Sequence, residues 1–187
     1  MTTWNDVSAR LGRNDLPAAL AYAVAEGRLT DPVEIARGLD DAWTMCEWPG
    51  RAMDYDVWES LFALALDDDE YLHDGEIRSK ADLPETITLY RGAHEEHEQG
   101  MSWTASFERA HWFATRLAMF SGPHRIFKIE ATPDMILAYS HERRSEQEYV
   151  LATYMFDAED MEVVAPEAWP ELLDECRSSV SSTPGGG

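Results

Sequence analysis

Thr86-Ile87-Thr88-Leu89-Tyr90-Arg91-Gly92 is the stretch at which the pattern of the chain changes. Before it, apolar residues recur at helical spacing. From Thr86 onward the run is rich in β-branched and aromatic residues and reads as a strand. Further strands are expected over 125–131, 135–139, 146–153 and 161–165. One helix interrupts them, from Phe107 to about Phe120, with Ser106 as its N-cap and Phe107, Ala110, Phe113, Ala114 and Leu117 on its inner face.

Working back from Thr86, residues 1 to about 70 read as helices. Pro17 sits in a first turn, and Gly27 follows the Ala-rich run Ala18 to Ala25. Asp31-Pro32 opens a second helix that must end by Pro49, and Asp54 can cap a third. In that third segment Val57, Trp58, Leu61, Phe62, Leu64 and Ala65 give an apolar face too broad for a solvent-washed helix, so it is expected to pack inward. Asp67-Asp68-Asp69-Glu70 and the polar stretch to Pro84 mark the join to the strand-rich part. The expected organisation is α+β: a helical segment over 1–80, a strand-rich core over 81–177, and a Ser/Gly-rich disordered tail from Ser178 to Gly187.

Composition narrows the function classes. The 187 residues carry a formal charge of −21, which repels nucleic-acid phosphates and disfavours direct binding to DNA or RNA. An acidic surface instead aids solubility, attracts a basic protein partner, or imitates the charge of DNA to block a DNA-binding protein. No apolar stretch is long enough to cross a bilayer, and Met-Thr-Thr-Trp-Asn-Asp lacks the character of a signal peptide, so a cytoplasmic location is expected. Cys46 and Cys176 are far apart and outside any Cys-x-x-Cys pair, which argues for free thiols over a disulfide or zinc framework.

Several motifs carry chemistry. Glu146 and Glu148 are separated by Gln147, and in an extended strand they would share one face, side by side. Two like charges so placed favour a cation, or a substrate with developing positive charge, between them. The same pair is also what the solvent face of an edge strand looks like in a chain with 36 acidic residues. Arg91 has an ordinary structural role open to it in an ion pair, and Ser102 in capping a turn. His94-Glu95-Glu96-His97-Glu98 does not match His-Glu-x-x-His and lies between expected strands, so a solvated acidic loop is preferred to a metal site. His141, Arg143 and Arg144 form a basic cluster just before Glu146. There is no Gly-x-Gly-x-x-Gly loop to suggest a Rossmann site, and no Gly-x-Ser-x-Gly elbow to suggest a serine hydrolase.

Taken in order, Leu89-Tyr90-Arg91-Gly92, Gly100-Met101-Ser102-Trp103-Thr104, the helix from Phe107 to Ala114, and Glu146-Gln147-Glu148 resemble the Arg-Ser-Glu class of ADP-ribosyltransferases. More narrowly, the Ser-Trp-Thr turn resembles the small ADP-ribosyltransferase-like proteins of bacteria and their phages. The resemblance covers roughly residues 85–155. It implies a split mixed β-sheet core and NAD as substrate, with no metal. It implies that Glu148 stabilises the sugar cation formed as nicotinamide leaves and that Ser102 holds Glu148 and the ribose. Arg91, with Gly92 beside it, would anchor the dinucleotide, and Thr104 would brace the cleft. Glu146 would orient and deprotonate the acceptor, an arginine first among protein side chains. Tyr90 and Phe113 are candidates to stack on nicotinamide, although aromatics so placed commonly belong to a core. Trp103 stands where the commonest pattern has Thr, a harmless change if its ring points into the core. Two other functions stay open: NAD hydrolysis, with water as acceptor, and a non-catalytic acidic protein that binds a basic partner. In either enzymatic case the setting implied is a bacterial or phage-infected host cell.

Overall fold

A computed structural model describes residues 2–65, 80–122, 124–140 and 147–180; of 117–121, 140, 179 and 180 the backbone alone is described. The chain groups into two units, Met1–Leu83 with Leu137–Ser145, and Pro84–Ile136 with Glu146–Gly187. The class is α+β, with the helices first and the strands after them.

The first unit carries α1 (Trp4–Ser8), α2 (Leu16–Ala25), α3 (Pro32–Met45), α4 (Pro49–Ala52) and α5 (Tyr55–Ala65). The start signals act locally as expected. Asp31 accepts the Val33 N–H at 3.0 Å, satisfying one of the orphan donors of α3, and Pro32 occupies a position where no N–H is needed. Pro49 does more than stop α3, since it opens the short α4. On α5 the buried stripe is Trp58, Leu61, Phe62 and Ala65, while Val57 and Leu64 are exposed. The inner face is thus narrower than the sequence suggested. Its aromatic residues meet Trp43 of α3 edge-on, with ring centroids 5.0 Å apart for Trp43 and Trp58 and 5.8 Å for Trp43 and Phe62. Each such pair contributes about 0.5–1.5 kcal/mol beyond the area it buries.

The strand-rich part comprises β1 (Ile87–His94), β2 (Ser102–Thr104), α6 (Phe107–Ser121), β3 (His124–Ala131), β4 (Ile136–Ser140), β5 (Glu148–Leu151), β6 (Glu162–Val164) and α7 (Trp169–Val180). The strands form one six-stranded antiparallel sheet in the order β4-β5-β2-β1-β3-β6. The expectation of a split, mixed sheet is therefore corrected. The chain does make a crossover, from β2 through α6 to β3, but β1 lies between those two strands and is antiparallel to both. No parallel pair arises, because the two strands that run the same way are not neighbours.

Helix α6 crosses the sheet over Gly92. A side chain there would put its Cβ 2.1 Å from the Ala110 carbonyl oxygen and 2.7 Å from the Ala114 amide nitrogen, so only glycine permits this approach. Phe107, Ala110 and Ala114 are buried against Ile126 and Val164, and Leu117 of the expected face is among the residues whose side chains are not described. Ser106 caps α6 by accepting the Arg109 N–H at 3.3 Å.

Helix α7 was not expected. Its residues Trp169, Leu172, Leu173 and Cys176 pack on the α6 cluster, and that spacing is an ordinary helical stripe between acidic positions. It runs on to Val180, so the first residues assigned to a disordered tail are helical; 181–187 lie outside the described residues. The acidic stretch Asp67 to Glu70 also lies outside them. Among the described residues no helix is long and apolar enough to cross a membrane.

Candidate active site

Ser-Trp-Thr forms a strand and not the expected turn, and this decides where its side chains go. Strand β2 pairs with β5 so that Ser102 faces Val150, Trp103 faces Tyr149 and Thr104 faces Glu148. On its other side Thr104 faces Tyr90 of β1. Directly opposed residues point to the same face of a sheet, so Tyr90, Thr104 and Glu148 form a row, and alternation adds Ser102 and Gly92 to that face. Trp103 points the other way and is 2% exposed, with its indole N–H donating to the Gly100 carbonyl at 2.7 Å and its ring edge-on to Phe156. The Trp at the centre of the motif is a core residue.

On the opposite face from Trp103, the Ser102 hydroxyl donates to Glu148 Oε1 at 2.5 Å. Glu148 is 8% exposed, the first residue of β5 and a buried carboxylate. A carboxylate in such a place needs hydrogen bonds to its oxygens, and the serine two positions along the neighbouring strand supplies one. Thr104 is also buried, and its Oγ1 accepts the Ser106 N–H at 3.1 Å, tying the end of β2 to the start of α6. Two hydroxyls and a carboxylate from distant parts of the sequence thus share one face of one strand pair.

Gln147 is the described residue immediately before β5. Gln147 has φ 47, in the left-handed region that costs a side-chain-bearing residue about 1 kcal/mol or more. Extended alternation therefore begins at Glu148 and does not pass back through Gln147. Glu146 itself lies outside the described residues, as do His141, Arg143 and Arg144.

Arg91 is held by the segment that follows its strand. Its Nη1 donates to the Ser102 carbonyl at 2.6 Å, and its Nε and Nη2 donate to the His97 carbonyl at 3.2 and 3.1 Å. Alternation sets Arg91 against Tyr90 and Gly92, so it approaches Ser102 through the backbone and not from the hydroxyl side. Tyr90 packs edge-on against Phe107 with centroids 5.3 Å apart, and burial there pushes its phenol pKa up, with nearby Lys128 acting in the opposite sense. Phe113 is half-buried and lies edge-on to Trp112. Strand β1 extends through His94, and Glu95–His97 form a single 3-10 turn, so the histidine-rich stretch is more ordered than a plain loop. Among the described residues no group of three or more His, Cys, Asp or Glu side chains is arranged to hold a metal ion.

The space that Gly100 leaves beside Arg91, the Gln147 backbone and the His97 carbonyl are parts of this region that the motifs do not reveal. Only Gly100 offered a signal, as a glycine two residues before Ser102. No protein-family model, curated protein or solved structure matches this chain.

Proposed function

We propose that the protein transfers ADP-ribose from NAD to a protein side chain, arginine first among the acceptors, with release of nicotinamide. The observation that carries this reading is the hydrogen bond from Ser102 to the buried Glu148, beside Thr104 on the same face. A carboxylate oriented by a hydroxyl is suited to a reaction whose transition state places positive charge on a sugar.

In that reaction the bond between the ribose anomeric carbon and the nicotinamide nitrogen breaks, and its electron pair neutralises the pyridinium. Glu148 stabilises the resulting oxocarbenium character more than it stabilises bound NAD, which is the requirement for acceleration. The acceptor nitrogen then bonds to the anomeric carbon and loses a proton, a step the family resemblance assigns to Glu146. Ser102 fixes the carboxylate, and its oxygen retains acceptor capacity toward a ribose hydroxyl. Water in place of the acceptor gives the hydrolase version of the same chemistry.

The test is nicotinamide release from NAD by the purified chain, with and without a bacterial cell extract, beside Glu148→Gln. Extract-stimulated release that disappears in the variant supports transfer, and release independent of extract supports hydrolysis. Absence of release under both conditions removes the enzymatic reading and leaves the acidic protein that binds a basic partner.

A further inference from the structure

The resemblance gives Arg91 to the dinucleotide, yet its hydrogen bonds point elsewhere. All three donating nitrogens described above reach backbone carbonyls, two of them at His97 in the turn after β1 and the third at Ser102, the first residue of β2. The space for the guanidinium is made by Gly100, where a Cβ would stand 2.2 Å from Nη2 and 2.5 Å from Cζ. The rest of this segment is gripped in the same manner. Trp103 holds the Gly100 carbonyl, the Leu151 N–H donates to the Met101 carbonyl at 2.8 Å, and Gln99 Nε2 donates to the Phe156 carbonyl at 2.7 Å.

We propose that Arg91 is a positioning residue, a planar fork that fastens the 97–102 segment to β1 and thereby sets the backbone from which Ser102 reaches Glu148. The proposal rests on the transferase reading for its link to activity, and on the carbonyl contacts alone for its structural part. The chemistry favours arginine here for a specific reason. Its donors lie in one rigid plane and serve two carbonyls five residues apart, whereas an ammonium is a point donor on a flexible stem. A phosphate anchor has the opposite tolerance, because lysine also binds phosphate. Gly100 gives an independent handle: a methyl group there evicts the guanidinium without altering its charge.

Hydrogen exchange of the full chain, read by mass spectrometry, tests this with Arg91→Lys and Gly100→Ala. Peptides covering 97–102 should exchange roughly tenfold faster or more in both variants, the scale of lost charge-assisted hydrogen bonds, while peptides from β3 stay protected. In nicotinamide release, kcat should fall roughly tenfold with the KM for NAD held within about twofold, as expected when the catalytic pair is displaced and ground-state binding is not. Unchanged exchange in both variants overturns the proposal, and so does a raised KM with unchanged kcat in Gly100→Ala, which returns Arg91 to the dinucleotide. Faster exchange in a chain whose wild type releases no nicotinamide upholds the fastening of Ser102 and removes the transferase reading instead.

Discussion

Strand β1 and the β2–β5 pair are neighbours in one sheet, yet their side chains are used differently. On β1, Arg91 grips backbone carbonyls, Gly92 lets α6 approach, and Tyr90 packs on Phe107. On β2 and β5, Ser102, Thr104 and Glu148 bring two hydroxyls and a carboxylate to one face. The first strand is frame, and the second pair is where the proposed transfer would place its chemistry. A motif that spans both is therefore a mixture of parts that hold and parts that act, and substitution should separate them.

The largest effect is expected at Glu148. Glu148→Gln should lower nicotinamide release by about 10²–10³-fold, equivalent to roughly 3–4 kcal/mol of transition-state stabilisation, with thermal unfolding little changed. If the variant were instead unfolded, β5 would belong to the frame and the contrast would fail. Gly92→Ala should do the reverse. Its Cβ meets backbone of α6, which cannot rotate away, so stability should fall by about 3 kcal/mol in denaturant unfolding. Ser102→Ala removes one bond to a charged group and should reduce nicotinamide release by about tenfold or more. Ser106→Ala is milder: loss of the α6 cap should cost about 1 kcal/mol, or about 2–4 °C in Tm, measured calorimetrically.

The smallest effect concerns Tyr90, whose phenol pKa is raised by burial. The folded state keeps its proton at a pH where the unfolded chain has begun to lose it, so the unfolded state is favoured progressively as pH rises above about 10. Below that range this group contributes nothing to the pH dependence. Ultraviolet titration should show phenolate forming later than that of the exposed tyrosines, and Tyr90→Phe should reduce that late component by the amplitude of one tyrosine. A late component of unchanged amplitude in the variant would detach Tyr90 from the frame.

Much of the local structure was legible because it depends on near neighbours. Asp31-Pro32 opening α3 and Ser106 opening α6 follow from side chains that bond donors two or three residues away. The limits of β1, β3 and β6 fell within a few residues of their apolar runs. Strand β2 was missed because three residues carry almost no periodicity, and only its neighbours on both sides make Ser102–Thr104 a strand. Helix α7 was written in its 169, 172, 173, 176 stripe, but acidic residues between those positions masked it.

The α+β order, the helix starts, the acidic character and the set of polar residues from which a site can be made are all properties of the linear chain. Those properties depend on short-range bonding and composition. The tertiary structure alone decided that the sheet is wholly antiparallel and that Trp103 faces inward. It also decided that Ser102 reaches Glu148 across 46 residues of sequence and that Arg91 turns to its own backbone. Each of those is a matter of register between strands distant in the chain. A shift of one residue would turn every side chain of a strand to the other face, and only the packed sheet fixes which face is which.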